Sequence, residues 1–316
     1  MKLRELDRAE VGRRLRTRGL GLRTGPFAFR IRADSLLVLD GLRLLYAEHP
    51  LLENDAFADF QVDLIEARGP RRWWRPQVNF VFDGQRPFSP LPAAQAYALL
   101  EWAMNWCISS QVHSNLNLHA AALERGGRGL ILPAPPGSGK STLCAGLTLR
   151  GWRLLSDELA MVSPQDGWIT PLARPVSLKN ASIDVIRAFE PAAVLNRPTH
   201  DTVKGTVSHM QVPPAHVARA AERVVPQWVV FPRYVPGADA ELTPRSKADS
   251  LIELGRNGFN YSVLGLAGFE TLATLVDACD CYDFRYSRLE EAAQLFERLA
   301  AQPAPQPRAE LLAVAA

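Results

Sequence analysis

The stretch from Leu130 to Thr142 constrains the fold of this chain more than any other. It reads Leu130-Ile131-Leu132-Pro133-Ala134-Pro135-Pro136-Gly137-Ser138-Gly139-Lys140-Ser141-Thr142. An apolar run leads into a loop of Pro, Gly and Ser, and Lys140 opens a helix. Strand, loop and helix in that order form the phosphate-binding unit of a nucleotide-binding fold. A polyphosphate needs several backbone N–H donors turned inward, and only a loop with little side-chain bulk lets them close in. Gly137 and Gly139 supply that freedom, and the positive helix N-terminus faces the same anion. Lys140 reaches the outer phosphates of ATP, and the Ser141 hydroxyl is placed to hold Mg²⁺. Ala134 stands where the strict pattern has its first glycine, a change of little cost where φ is ordinary. The expected nucleotide-binding set is therefore Ala134, Gly137, Ser138, Gly139, Lys140, Ser141 and Thr142.

The groups that such a loop requires next follow at close range. Ser141 to Arg150 reads as a helix closed by Gly151 as C-cap. Trp152 to Glu158 gives a short apolar strand ending on two adjacent carboxylates, with Asp157 seventeen residues after Lys140. Phosphoryl transfer to a hydroxyl needs one carboxylate for Mg²⁺ or its water shell and another to accept the proton. Neighbouring strand side chains point to opposite faces, so both serve one site only if the strand ends before them. Upstream, Leu116 to Glu124 runs into the glycine turn Arg125 to Gly129, a hairpin that puts His119 in the strand beside the loop strand. Lys179 ends a strand just before a helix from about Ser182 to Phe189, a place suited to an anion. The competing reading is a surface lysine beside an N-capping Asn180 or Ser182. Lys204 lies in Thr199 to His209, a polar stretch that reads as a loop closing over nucleotide or acceptor, or as a plain surface loop.

Composition bears on these lysines. Of 36 basic residues only five are lysines, Lys2, Lys140, Lys179, Lys204 and Lys247. Arginine serves wherever a generic charge suffices, so a retained lysine hints that a compact, mobile ammonium is wanted. A chain of 316 residues, 47% hydrophobic, 22% charged and with a net charge of +3, is globular and too weakly basic to argue for nucleic acid. Arg71-Arg72-Trp73-Trp74-Arg75 mixes basic and aromatic groups, but no repeat extends it, and it reads as a strand end or loop. Cys107, Cys144, Cys279 and Cys281 make no Cys-x-x-Cys pair and no zinc spacing, as expected of reduced thiols. The basic N-terminus lacks the apolar core of a signal peptide. The most apolar helical run, Ala93 to Ile108, is interrupted by Gln95, Glu101 and Asn105 and is too short to span a bilayer. The expectations are a cytoplasmic location, no membrane and no nucleic acid.

Three regions follow. Residues 1–112 read as a small strand-rich α+β region, with a mobile or edge-like basic arm over 1–26, strands at 27–32, 60–66 and 77–82, and Ser35 to Tyr46 undecided between strand and helix. Trp102 and Trp106 lie four apart on the helix that follows and read as packing. Residues 113–300 hold the loop and the carboxylates, then a strand at 227–232 and helices at 247–254, 269–278 and 287–300. Residues 301–316, rich in Ala and Pro, read as a disordered tail.

His119, the glycine hairpin, Gly137-Ser138-Gly139-Lys140-Ser141, the ten-residue helix, Arg150-Gly151-Trp152-Arg153-Leu154-Leu155 and Ser156-Asp157-Glu158 together resemble the catalytic domain of HPr kinase/phosphorylase. Ile183-Asp184-Val185-Ile186 is similar to that family's Ile-Ile-Asp-Val stretch. The resemblance covers about residues 115–210, more weakly to 300, and is closer still to the HPr kinase-related kinase A family. It implies an α/β fold with a P-loop kinase core of the HPr kinase and phosphoenolpyruvate-carboxykinase-like type. It also implies that His119 and Asp157 lie at the acceptor hydroxyl and that Lys140 and Ser141 bind phosphate and metal. Two departures stand out. The family has Asp-Asp where this chain has Asp157-Glu158, and Val176 and Leu178 occupy the positions of its metal-binding Glu and an Arg. The second departure bears on a reverse, phosphate-driven dephosphorylation.

The sequence thus predicts an ATP- and Mg²⁺-dependent kinase acting on a Ser or Thr hydroxyl of a small protein or peptide. Asp157 is expected as base, Glu158 as metal or water ligand and His119 as the group that orients the base, with Lys140, Lys179 and Lys204 on phosphate. The rivals are an NTP hydrolase or switch and a nucleotide-binding scaffold without turnover. Relatives of this kinase group are often encoded near a peptide-chaperone-like protein, which makes such a neighbour a candidate acceptor. HPr kinases assemble as oligomers, on surfaces that have no counterpart legible in this sequence.

Overall fold

The computed structural model describes residues 1–53, 55–67, 71–135 and 137–303, with the backbone alone at residues 71 and 72. The tail expected at 301–316 lies outside the described residues from 304 onward. Among the described residues the chain is a mixed α/β protein with four sheets.

The first region begins with α1 (Arg8–Arg16), β1 (Leu20–Thr24) and β2 (Phe27–Ala33). Of the two readings of 1–26, a mobile arm and an edge element, this bears out the second, since β1 is an edge strand. Asp7 caps α1 by accepting the Glu10 N–H at 2.7 Å, and Val11 and Leu15, four apart, bury one face. The basic residues on the outer face masked that apolar pair. The undecided segment is helix α2 (Leu36–Leu45), which carries the chain over to β3 (Phe60–Glu66), parallel to β2. A four-residue turn, α3 (Arg71–Trp74), precedes β4 (Gln77–Phe82), β5 (Leu91–Pro92) and α4 (Ala96–Gln111). The strands form one sheet in the order β1-β2-β3-β4-β5. Trp106 of α4 meets Phe80, Phe82 and Phe88 edge-on. The apolar core made by this sheet and its helices runs on into Leu159, Met161 and Leu172.

The later elements are β6 (Leu116–Leu118), β7 (Ala120–Arg125), β8 (Arg128–Pro133), α5 (Lys140–Leu149), β9 (Arg153–Ser156), β10 (Ala160–Val162), β11 (Ile169–Thr170) and β12 (Val176–Lys179). They continue with α6 (Ala181–Phe189), β13 (Thr199–Thr202), β14 (Gly205–Met210), α7 (Pro214–Ala218), β15 (Val225–Tyr234) and β16 (Glu241–Pro244). Helices α8 (Lys247–Arg256), α9 (Tyr261–Leu264) and α10 (Leu266–Ala278), strand β17 (Asp280–Tyr286) and helix α11 (Leu289–Ala301) end the order. Six strands form the central sheet in the order β16-β17-β15-β8-β7-β9, with β8, β15 and β17 parallel. Their apolar runs are continuous because both faces are covered. Leu130 and Leu132 point to the side of α5 and α11, while Ile131 and Val229 point to the side of α8 and α10. Two three-stranded sheets, β11-β10-β6 and β12-β14-β13, flank it.

Among the described residues no helix is long and apolar enough to cross a membrane. The four cysteines are free and buried.

Candidate active site

The loop after β8 is held by its backbone. Gly137 and Gly139 have φ of 86° and 88°, a left-handed conformation that side chains disfavour. Gly139 is also crowded, since a Cβ there would lie 2.5 Å from the Tyr286 hydroxyl. That hydroxyl donates to the Gly139 carbonyl at 2.9 Å, and the Tyr234 N–H donates to the Ser138 carbonyl at 2.8 Å. Ala134 is absent from the positive-φ residues, as its mild departure from pattern requires. Helix α5 begins at Lys140, so its free N–H groups open toward the loop.

These residues line one cleft of about 620 Å³. Ala134, Gly137, Ser138, Gly139, Lys140, Ser141 and Thr142 form one wall. His119, Glu158, Lys179 and Lys204 reach the same space. The Lys140 ammonium is buried and has no protein partner, and the Ser138 hydroxyl is likewise unpartnered. A buried ammonium without a hydrogen-bond acceptor is costly, so the site fits an anion that supplies acceptors.

The two carboxylates lie just past the end of β9, in a bend, so strand alternation does not force them apart. They nevertheless differ. Glu158 faces the cleft, 3.3 Å from His119 Nε2 and 3.6 Å from Lys179 Nζ. Burial works against its charge, but His119, Lys140 and Lys179 outweigh that and hold the carboxyl below the usual range. Asp157 is 4% exposed and lines a smaller cavity behind Glu158 instead of the cleft. Its Oδ2 accepts the Ser177 N–H at 3.0 Å, while Oδ1 has no protein partner. Burial and the Glu158 charge push it up to about 6.

Three local expectations are corrected. His119 sits in the break between β6 and β7, not within a strand, with its N–H bonded to the Asn257 carbonyl at 2.7 Å. Residues 199–209 are no loop; β13 and β14 form a hairpin with Val203 and Lys204 at its tip. Asn180 does not cap α6 with its side chain. It has φ of 53°, and its Oδ1 accepts the Thr206 N–H at 3.0 Å, pinning the hairpin beside Lys179. Lys204 leans over the Trp102 ring at 5.1 Å. Burial, with Lys179 nearby, lowers its affinity for the proton. Tyr234 and Tyr286 carried no local signal, because each reaches the site from a distant part of the sequence, and Trp102, read as packing, lies under Lys204.

The sequence matches no protein-family model and no curated protein. Among solved structures the chain is similar to the Hpr(Ser) kinase/phosphatase from Coxiella burnetii. The identity is 13% and the TM-score 0.26, over 58% of this chain and 96% of that one.

Proposed function

We propose that this protein is a kinase that moves the γ-phosphoryl group of ATP to a hydroxyl, that of a Ser or Thr on a small protein or peptide. One observation carries the reading: the buried, unpartnered Lys140 ammonium lies on the cleft that also gathers the glycine loop and the His119–Glu158 pair. The sequence resemblance to HPr kinases points the same way. Loop N–H groups and Lys140 hold the outer phosphates, and Lys179 and Lys204 add charge at the opposite wall. Ser141 and Glu158, with Asp157 behind, are the residues that would hold Mg²⁺, which when bound shields the phosphate charge. Among the described residues no three His, Cys, Asp or Glu side chains form a metal cluster alone. Mg²⁺ in such sites takes one or two carboxylates and leaves its other positions to phosphate and water.

Asp157 is the base, because a carboxyl pushed up to about 6 accepts a proton at neutral pH better than an ordinary one. His119 orients the pair through Glu158. A second assignment exchanges the carboxylates, and the exposure of Glu158 to the cleft favours it. The rate profile separates the two, since an acid limb near pH 6 marks Asp157 as the base, whereas Glu158, held below the usual range, would leave none there.

The deciding experiment incubates the purified protein with γ-labelled ATP, Mg²⁺ and host lysate, beside Lys140→Ala and Asp157→Asn. A labelled protein or peptide made by wild type and by neither variant supports the kinase. A peptide-chaperone-like protein encoded nearby is the first purified acceptor to try. Phosphate released without a labelled acceptor replaces the kinase with a hydrolase, and tight ATP binding without turnover replaces it with a scaffold.

A further inference from the structure

Behind Glu158 lies a cavity of about 20 Å³, bordered by Glu101, Trp102, Ser156, Asp157, Ser177 and His209 among others. Besides Trp102 Nε1, four buried polar atoms on its walls lack a protein partner: Asp157 Oδ1, Ser177 Oγ and both ring nitrogens of His209. Their residues are 4%, 7% and 2% exposed. Native interiors rarely leave such atoms unmatched, and each one costs on the order of 1–3 kcal/mol. A water molecule needs on the order of 10–15 Å³ by the same measure and about three polar partners, and this cavity supplies both.

We propose that the cavity is an internal hydration site, holding one water that joins His209 to Asp157, and that His209 is a positioning residue for the Asp157 carboxylate. The neutral imidazole has one N–H donor and one acceptor nitrogen. The water accepts from the His209 N–H and donates to Asp157 Oδ1, and Ser177 Oγ completes its partners. Asp157 is then held at both oxygens, since Oδ2 already takes the Ser177 N–H. The catalytic use of this arrangement rests on the kinase reading above; the water itself does not. The cavity is also where the first region meets the site, for Glu101 and Trp102 of α4 form its far side.

The test has a structural and a kinetic arm. Crystals of the wild-type protein that order buried waters should show density within hydrogen-bonding distance of Asp157 Oδ1, Ser177 Oγ and the His209 ring. A dry cavity overturns the proposal whether or not the protein is a kinase. In His209→Phe the density should vanish and the Asp157 side chain should turn; an unmoved Asp157 also overturns it. Removing such a supporting group typically lowers activity roughly 10–100-fold. We expect that loss in kcat with KM for ATP unchanged, and recovery of most of it in His209→Gln, which keeps an N–H donor. Equal losses in both variants, or a loss confined to KM, reject the positioning role. Wild-type protein without phosphoryl transfer removes the kinase reading and leaves the water to the density. Should His209→Phe not fold, the wild-type density and His209→Gln decide.

Discussion

Two buried cations lie on either side of the Asp157–Glu158 bend, and they are treated in opposite ways. Arg174 is 5% exposed and fully occupied. It donates to Glu101 Oε2 at 2.6 Å, the Glu101 carbonyl at 3.1 Å, Asn105 Oδ1 at 2.6 Å and the Tyr46 hydroxyl at 3.2 Å. Glu101 is in turn held by the hydroxyls of Tyr97 at 2.6 Å and Tyr46 at 3.0 Å. Lys140, 7% exposed, has no protein partner for its ammonium. A planar fork surrounded by acceptors fastens α4 to the segment before β12, whereas the compact ammonium has no acceptor of its own. Burial alone therefore does not separate scaffold from site; the count of partners does.

The largest effect should come from breaking the satisfied cluster. Arg174→Met leaves Glu101 charged and unpaired, and should cost about 3–5 kcal/mol of folding stability, read as a lowered denaturant midpoint. Adding Glu101→Gln should restore part of that loss, because the orphaned charge goes with it. A single variant as stable as wild type would erase the contrast. Lys140→Ala should do the reverse. Stability should change by less than in Arg174→Met, while the rate of phosphoryl transfer falls ~10²–10³, about 2.7–4 kcal/mol of barrier. ATP should raise the melting temperature of wild type and not of this variant.

The glycines give a smaller difference. Gly137→Ala must hold a left-handed backbone in open space, at about 1–2 kcal/mol. Gly139→Ala adds a clash with the Tyr286 hydroxyl and should unfold at lower denaturant than Gly137→Ala.

A further difference is a slope with pH, and the carboxylates repeat the contrast of the cations. Burial opposes the Glu101 charge, but Arg174 and its other partners win and keep its carboxyl below the usual range. Its contribution to stability is present at neutral pH and is lost as pH falls through that lowered value. Asp157, raised to about 6 from 3.8, works the other way. The folded state binds its proton more tightly, so its penalty is present above pH 6 and is relieved as pH falls from 6 toward 3.8. Melting curves of Asp157→Asn against wild type should converge in that window; a constant offset would refute the raised value.

How much of this could be read beforehand depends on distance along the chain. The glycine loop, Ser141 and Glu158 are packed into fewer than thirty residues, with spacing fixed by one helix and one strand, and could be picked out together, whereas the turn of Asp157 into a separate cavity could not. The hairpin that carries Lys204 was not, because its polar alternation is also that of a loop, and the residue type of Asn180 suits a cap as well as the hairpin contact it makes. Arg174 and Glu101 gave no signal at all. They are 73 residues apart, and only the packing of α4 against the later chain makes them partners. Helix α1 within 1–26 was missed for a related reason: its charges are local and visible, while the core that buries Val11 and Leu15 is assembled from strands farther on.

The clasp on the glycine loop has a consequence for how the protein comes into being. Tyr234 and Tyr286 fasten the backbone at Ser138 and Gly139, yet Tyr286 leaves the ribosome 147 residues after Gly139. Contacts across so long a separation form late. A nascent chain that already carries the complete loop sequence therefore lacks both fastenings, and the loop takes its final shape only after Tyr286 has been made.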